Sequence, residues 1–197
     1  MRNRRVILNF SDGRRHRCAE TAEAVSAVVN EIFDGRSSKS AGNVAHGDDG
    51  TATDAIFELS WSDRCHDLQS SEAGRNGLPS NFLSVACNHS TGYGALVWCV
   101  DQVSFPRKGG IHASVWVTDN VEPPEFDTGV IMDQDVEECH DPRSTIPLHQ
   151  VRQAVEEFCR LGTGDRPESV RWVEAFDFVG RRFPLVTDDG RHDPFLA

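Results

Sequence analysis

The stretch FLSVACNHSTGYGALVWCV, Phe82 to Val100, sets two apolar runs on either side of a glycine-rich centre, Gly92-Tyr93-Gly94. Apolar strands that close on a tight glycine-containing turn signal an antiparallel hairpin, because glycine accepts the positive φ that such turns demand. With the turn centred on Tyr93, Cys87 and Cys99 lie roughly opposite each other, a disulfide pair in an oxidising compartment and two thiols in a reducing one. A hairpin in mid-chain makes an antiparallel sheet the frame on which the neighbours assemble.

Working outward, AIFELSWS (residues 55–62) alternates as a strand, with Phe57, Leu59 and Trp61 on the inward face and Ile56, Glu58 and Ser60 on the other. HASVWVTD (residues 112–119) reads as a further strand, and VIM (residues 130–132) as a short edge strand. RRVILNF (residues 4–10) opens the chain as a strand, and SVRWVEAFDF (residues 169–178) is the last one. Two segments carry helical periodicity instead. Val25, Val28, Val29, Ile32 and Phe33 make a stripe behind the N-cap candidate Thr21, with Gly35 as its stop, and Leu148, Val151, Val155, Phe158 and Cys159 make another that Pro147 opens. Residues 36–54 are rich in Gly, Ser and Asp and read as an exposed loop. The order strand, helix, several antiparallel strands, helix, strand predicts an α+β fold: a central, mainly antiparallel β-sheet packed with two amphipathic helices. The length of 197 residues and a 38% hydrophobic content fit one domain.

The formal charge is −11 and unevenly spread. Six arginines against Asp12 give residues 1–17 a balance of +5, so the rest carries about −16 and repels nucleic acid. Between Asp119 and Pro142 stand nine carboxylates with no Lys or Arg: Asp119, Glu122, Glu125, Asp127, Asp133, Asp135, Glu137, Glu138 and Asp141. Such a run is either a solvated loop or a surface for a basic partner. The basic opening MRNRR is followed by an apolar run too short for a signal peptide or a membrane span, which predicts a cytoplasmic protein without a membrane partner. Six cysteines without CxxC spacing fit reduced thiols in that compartment.

Signs of catalysis are weak. Gly162-Thr163-Gly164 follows a helix, where carbonyls and the negative end of the dipole repel a phosphate, so Gly162 reads as the left-handed stop of that helix. Cys65-His66 and Cys139-His140 supply zinc-type ligands, but adjacent residues rarely reach one metal, and no metal or cofactor is expected. His89 and His112 are possible bases with no nucleophile motif beside them. Asn88-His89-Ser90 matches a glycosylation sequon, which has no role in a protein that is not exported. Of the four tryptophans, Trp61, Trp98 and Trp172 read as core, whereas Trp116 shares its strand face with Ser114 and Thr118 and is the candidate for an exposed anchor at a partner surface.

The run from Ile146 to Ala175 resembles the carboxy-terminal signature of a bacterial polymorphic-toxin immunity family, the one catalogued as immunity protein one. It carries Ile146-Pro147, an amphipathic helix ending in Glu157-Phe158, the turn Thr163-Gly164-Asp165-Arg166-Pro167, and Val170-Arg171-Trp172. Gly94-Ala95-Leu96 leading to Trp98 is similar to the family's central strand pair. The resemblance covers residues 55–176, with residues 1–54 and 177–197 as extensions. It implies an α+β protein with no catalytic residues that binds and neutralises a cognate toxin domain, often a deaminase-fold toxin acting on nucleic acid. The expected contacts are Trp116 and the carboxylates between Asp119 and Glu138. The competing readings are a small enzyme of unknown chemistry and an interaction domain with an unrelated partner.

Overall fold

The computed structural model describes residues 7–12, 15–34, 55–63, 65, 81–100, 114–133 and 138–183. The strands are β1 (Ile7–Ser11), β2 (His16–Ala19), β3 (Ala55–Ser62), β4 (Asn81–Asn88), β5 (Tyr93–Val100), β6 (Val115–Thr118), β7 (Ile131–Asp133), β8 (Glu138–Cys139), β9 (Ile146–Pro147) and β10 (Trp172–Glu174). The helices are α1 (Ala22–Phe33) and α2 (Leu148–Leu161), with a 3-10 turn at Pro142–Ser144. The main sheet runs β10-β6-β5-β4-β3-β1-β2, every pair antiparallel, with β9 on the free stretch of β5. The expected α+β architecture is present.

The central hairpin forms with a register different from the expected one. Cys87 opposes Gly94 and Cys99 opposes Phe82, so the two thiols are far apart along the ladder. The turn lies earlier because Asn88 makes it: its Oδ1 accepts the backbone N–H of Ser90 at 3.0 Å and of Thr91 at 3.2 Å, and Gly92 supplies φ +76°. Gly94 belongs to the strand for another reason. A Cβ there would meet the Ala86 carbonyl at 2.6 Å and Val151 and Leu148 of α2 at 3.1 and 3.2 Å, so its bareness lets the helix approach the sheet.

One sheet face carries both helices. Leu8, Phe10, Leu59, Leu83, Val85, Leu96 and Trp98 pack there with Val28, Val29 and Ile32 of α1 and Val151, Val155 and Phe158 of α2. Thr21 caps α1, accepting from Ala24 N–H at 3.2 Å, while Gly35 lies outside the described residues and Asp34 closes the helix. Gly162 at φ +64° ends α2, as its sequence position predicts. Pro147 is the N-cap rather than the first helical residue, and it pairs with Tyr93 as part of β9. The last strand is three residues long, and the chain after it folds back as a small hairpin closed by a bridge between Ala175 and Arg182. Ile131 and Met132 of the VIM run open β7, which pairs with β8 in a sheet of its own instead of edging the main one.

The edge strand β2 has no counterpart in the sequence reading, and it brings a correction. Cys18 on β2 and Cys65 just beyond β3 are joined in a disulfide, with Cα atoms 5.8 Å apart, so the expectation of six thiols fails for this pair. Spacing gave no warning because β1 lies between the two: β3 leaves the sheet with Ser62 opposite Ile7, next to the strand that carries Cys18. Cys87, Cys99 and Cys159 are buried thiols and Cys139 an exposed one. Burial pushes Cys99 and Cys159 up to about 12, which makes both poor nucleophiles.

The disulfide closes a loop of 47 residues that includes α1. By the loop-entropy account, reduction or a Cys18→Ser/Cys65→Ser double substitution should lower stability by about 2–4 kcal/mol. Urea unfolding with and without dithiothreitol checks this, and an unchanged midpoint would show the bond to be energetically idle.

Candidate partner-binding surface

Thr118 ends β6 and the acidic segment begins. Val117 and Val115 point to the sheet face away from the helices, where they cluster with Val97, Cys99 and Ala175. On the same face Val130 packs against Ala86 and Ala95, so the acidic segment crosses the side of the sheet that the helices leave open. Its start and its middle are pinned by polar side chains. Asn120 Nδ2 donates to the Thr145 carbonyl at 2.7 Å, and Asn88 Nδ2 donates to the Thr128 and Gly129 carbonyls at 3.0 Å each. Thr91 Oγ1 donates to the same Thr128 carbonyl at 2.9 Å.

The folded molecule supplies arginines that the linear segment lacks. Asp119 meets Arg182 at 3.0 Å and Arg171 at 3.6 Å. Asp141 holds Arg143 at 2.5 Å, and that hydrogen-bonded guanidinium keeps its carboxyl below the usual carboxylate range. Glu138 and Asp177 both bind Arg181, whose hydrogen bond to Glu138 lowers that carboxyl and raises the guanidinium. Four carboxylates and four arginines thus balance in a network of two adjoining groups, Asp119 and Asp141 with Arg171, Arg182 and Arg143, and Glu138 and Asp177 with Arg181. Outside it, Glu122, Glu125 and Asp127 are exposed and carry no ion pair among the described residues. They flank Phe126, half exposed and in edge contact with Tyr93 at 5.7 Å between centroids. Residues 124–127 and 139–142 border a shallow depression of about 540 Å³.

The remaining expected contacts are not gathered here. Asp133 is half-buried on β7, and Asp135 and Glu137 lie outside the described residues. Trp116 is on the other face: it is half-buried among the helix-side core residues, with the Arg166 guanidinium 4.2 Å above its ring. His112 and His66 lie outside the described residues, and Cys65 is spent in the disulfide, so neither Cys-His pair forms the zinc set considered from the sequence. No group of three His, Cys, Asp or Glu suited to a metal occurs among the described residues.

One titratable group in the segment is deeply placed. His140 is buried, its Nδ1 has no hydrogen-bond partner among the described residues, and burial, opposed only in part by Glu138, holds it down at about 4. Below pH 6.5 an unfolded chain takes up a proton that the folded chain refuses, so stability is full above that pH and falls as the pH drops toward 4. Between pH 7.5 and pH 5 the loss should be about 2 kcal/mol. Urea titrations at the two pH values measure it, and His140→Gln should flatten the difference.

No helix among the described residues is long and apolar enough to cross a membrane. Comparison with curated proteins and with solved structures finds no match. A family model does match, over residues 19–174, beginning earlier than the sequence resemblance and taking in α1, whose Val28, Val29 and Ile32 are core to the fold. The family is described as Immunity protein Imm1, which implies a toxin protein as partner and a binding rather than a catalytic role, and with most of its length matched this chain belongs to that family.

Proposed function

We propose that this immunity protein neutralises a deaminase-fold toxin acting on nucleic acid, in the cytoplasm, by a stoichiometric complex in which the acidic segment occupies the toxin's active-site cleft. The observation that carries the proposal is the division of charge just described. Asp119, Glu138 and Asp141 are consumed by arginines, while Glu122, Glu125 and Asp127 are exposed, with no ion pair among the described residues, on a loop anchored at both ends. A toxin that handles nucleic acid must offer a basic cleft to the phosphates. Solvated carboxylates on an ordered loop suit that cleft and raise the rate of encounter. Within the run from Asp119 to Glu138, Asp119 and Glu138, held by arginines, shape the loop, and Glu122, Glu125 and Asp127 meet the toxin; Asp133, Asp135 and Glu137 are secondary candidates, and Trp116, half-buried under Arg166 on the other face, lies outside this contact.

Glu122→Gln/Glu125→Gln/Asp127→Asn should slow association with the toxin roughly tenfold at low ionic strength and flatten its dependence on salt. Stopped-flow mixing at two salt concentrations tests this, and an unchanged rate and slope would remove the loop from the contact. Rescue of toxin-expressing cells should require the immunity protein in at least equal amount. Rescue at a small fraction of that amount would point to an enzyme instead.

A further inference from the structure

Among the described residues six large apolar side chains are exposed: Val121, Phe126, Leu161, Phe176, Phe178 and Phe183. Leu161 ends α2. The other five sit on two segments that the arginine network ties together, because Arg182 binds Asp119 and donates to the Arg143 carbonyl, while Arg181 bridges Asp177 and Glu138. Large apolar groups left in water on two segments that ion pairs hold together mark an interaction surface more often than a scattered exposed leucine does.

The hairpin that carries three of these rings is closed by its own backbone. Phe176 N–H donates to the Arg181 carbonyl at 2.6 Å and Gly180 N–H to the Asp177 carbonyl at 3.0 Å. Gly180, at φ +92°, lies so close to the sheet that a Cβ would come within 2.5 Å of Val97, so one side of the hairpin is pressed onto the strands. The rings are held on the outside. Phe176 and Phe178 are 65% and 66% exposed, and Phe176 meets Phe183 edge-on at 5.8 Å between centroids. Both hairpin arginines are engaged by carboxylates, so they offer little opposition to a basic partner, and the exposed Glu122, Glu125 and Asp127, which have no ion pair among the described residues, favour one. The hairpin also lies beyond the family-matched region, which ends at residue 174.

We propose that the Phe176–Phe183 hairpin, together with Phe126, is the apolar half of the toxin contact, its phenyl rings entering an apolar cleft bordered by lysine and arginine side chains of the toxin domain. This rests on the reading that the chain acts by binding a toxin. The carboxylates then govern how fast the partners meet, and the rings how slowly they part.

The experiment uses the full chain and an inactive variant of the toxin domain encoded beside its gene. Phe176→Ser and Phe178→Ser should each weaken binding about thirtyfold, equivalent to about 2 kcal/mol, through faster dissociation with little change in association. Leu161→Ser should bind as the parent does. Hydroxyl-radical footprinting should label the three rings in the free chain and find them protected in the complex. Phenylalanine variants that bind with parental affinity, while the parent forms its one-to-one complex, overturn this inference and leave the functional reading standing. A parent chain that does not bind the toxin overturns both. Rings already protected in the free chain, or a dimer that Phe178→Ser dissolves, assign the surface to residues 184–197 or to a second copy and overturn the toxin contact.

Discussion

All four tryptophans converge on the end of α2 and the turn that follows it. Trp98 Nε1 donates to the Gly164 carbonyl at 3.0 Å, Trp172 to the Pro167 carbonyl at 2.7 Å and Trp61 to the Phe158 carbonyl at 3.1 Å. Trp116 lies under the Arg166 guanidinium, which is also 5.9 Å from the ring centres of Trp98 and Trp172. Asn81 Nδ2 adds a second bond to the Gly164 carbonyl at 3.0 Å, and the Glu157 carboxylate receives the N–H groups of Glu168 and Ser169. An irregular turn over a core exposes carbonyls that must find donors, and indole rings provide a donor and a large apolar body in one side chain. The clamp fixes where α2 ends, hence how its stripe meets β5, and it carries the chain to β10 at the sheet edge. Partial desolvation lowers the Arg166 guanidinium from its usual value, a cost that its position over aromatic faces offsets.

Both helices lie on the face that the clamp fixes for α2, and the other face of the sheet is left to irregular chain. Val130, Ala175 and Gly180 make the close approaches there, each small or apolar enough to lie flat on the strands. Asn88, at the end of β4, then holds the covering loop by its Thr128 carbonyl, and Asn120, within that loop, binds the Thr145 carbonyl ahead of β9. The arginine network joins the loop after β6 to the hairpin after β10. An isolated exposed ion pair contributes little, whereas several that share arginines fix the geometry of two loops against each other.

The sequence was most legible where a period could be counted. Both helices, the inward face of β3 and the presence of the central hairpin follow from spacing alone, and Gly162 was readable as a helix stop because its position after an apolar stripe has one common cause. The hairpin register was not readable. Gly92 and Gly94 look alike as letters, yet one supplies a positive φ and the other makes room for Val151 and Leu148, a distinction that exists only once α2 is in place. The acidic segment misled for a similar reason. Its neutralising partners Arg171, Arg181 and Arg182 lie some tens of residues downstream, so a charge run in the chain is only in part a charge patch on the protein. The exposed phenylalanines of SVRWVEAFDF read as strand residues because alternation continues through Phe176 and Phe178, and nothing local reports that the sheet has ended at Glu174.

A consequence for recognition follows from where the family signature sits. The Thr-Gly-x-Arg-Pro turn and the Val-x-Trp stretch are the two sides of the tryptophan clamp, with Gly164, Arg166, Pro167, Val170 and Trp172 buried or half-buried and the clamp occupied in holding α2 to the sheet. They report how the protein is built, not what it binds. The opposite face of the sheet is covered by loops whose composition the fold constrains at only a few points: the carbonyls bound by Asn88 and Asn120, the flat approach of Gly180 and the arginine contacts. Between those points residues can change with little effect on stability, since surface substitutions away from such features are nearly neutral. Loops of this kind, ordered before the partner arrives, avoid much of the entropy cost of association. One scaffold can therefore present many different partner surfaces, which is why the chain's family can be read from its turn and its toxin cannot.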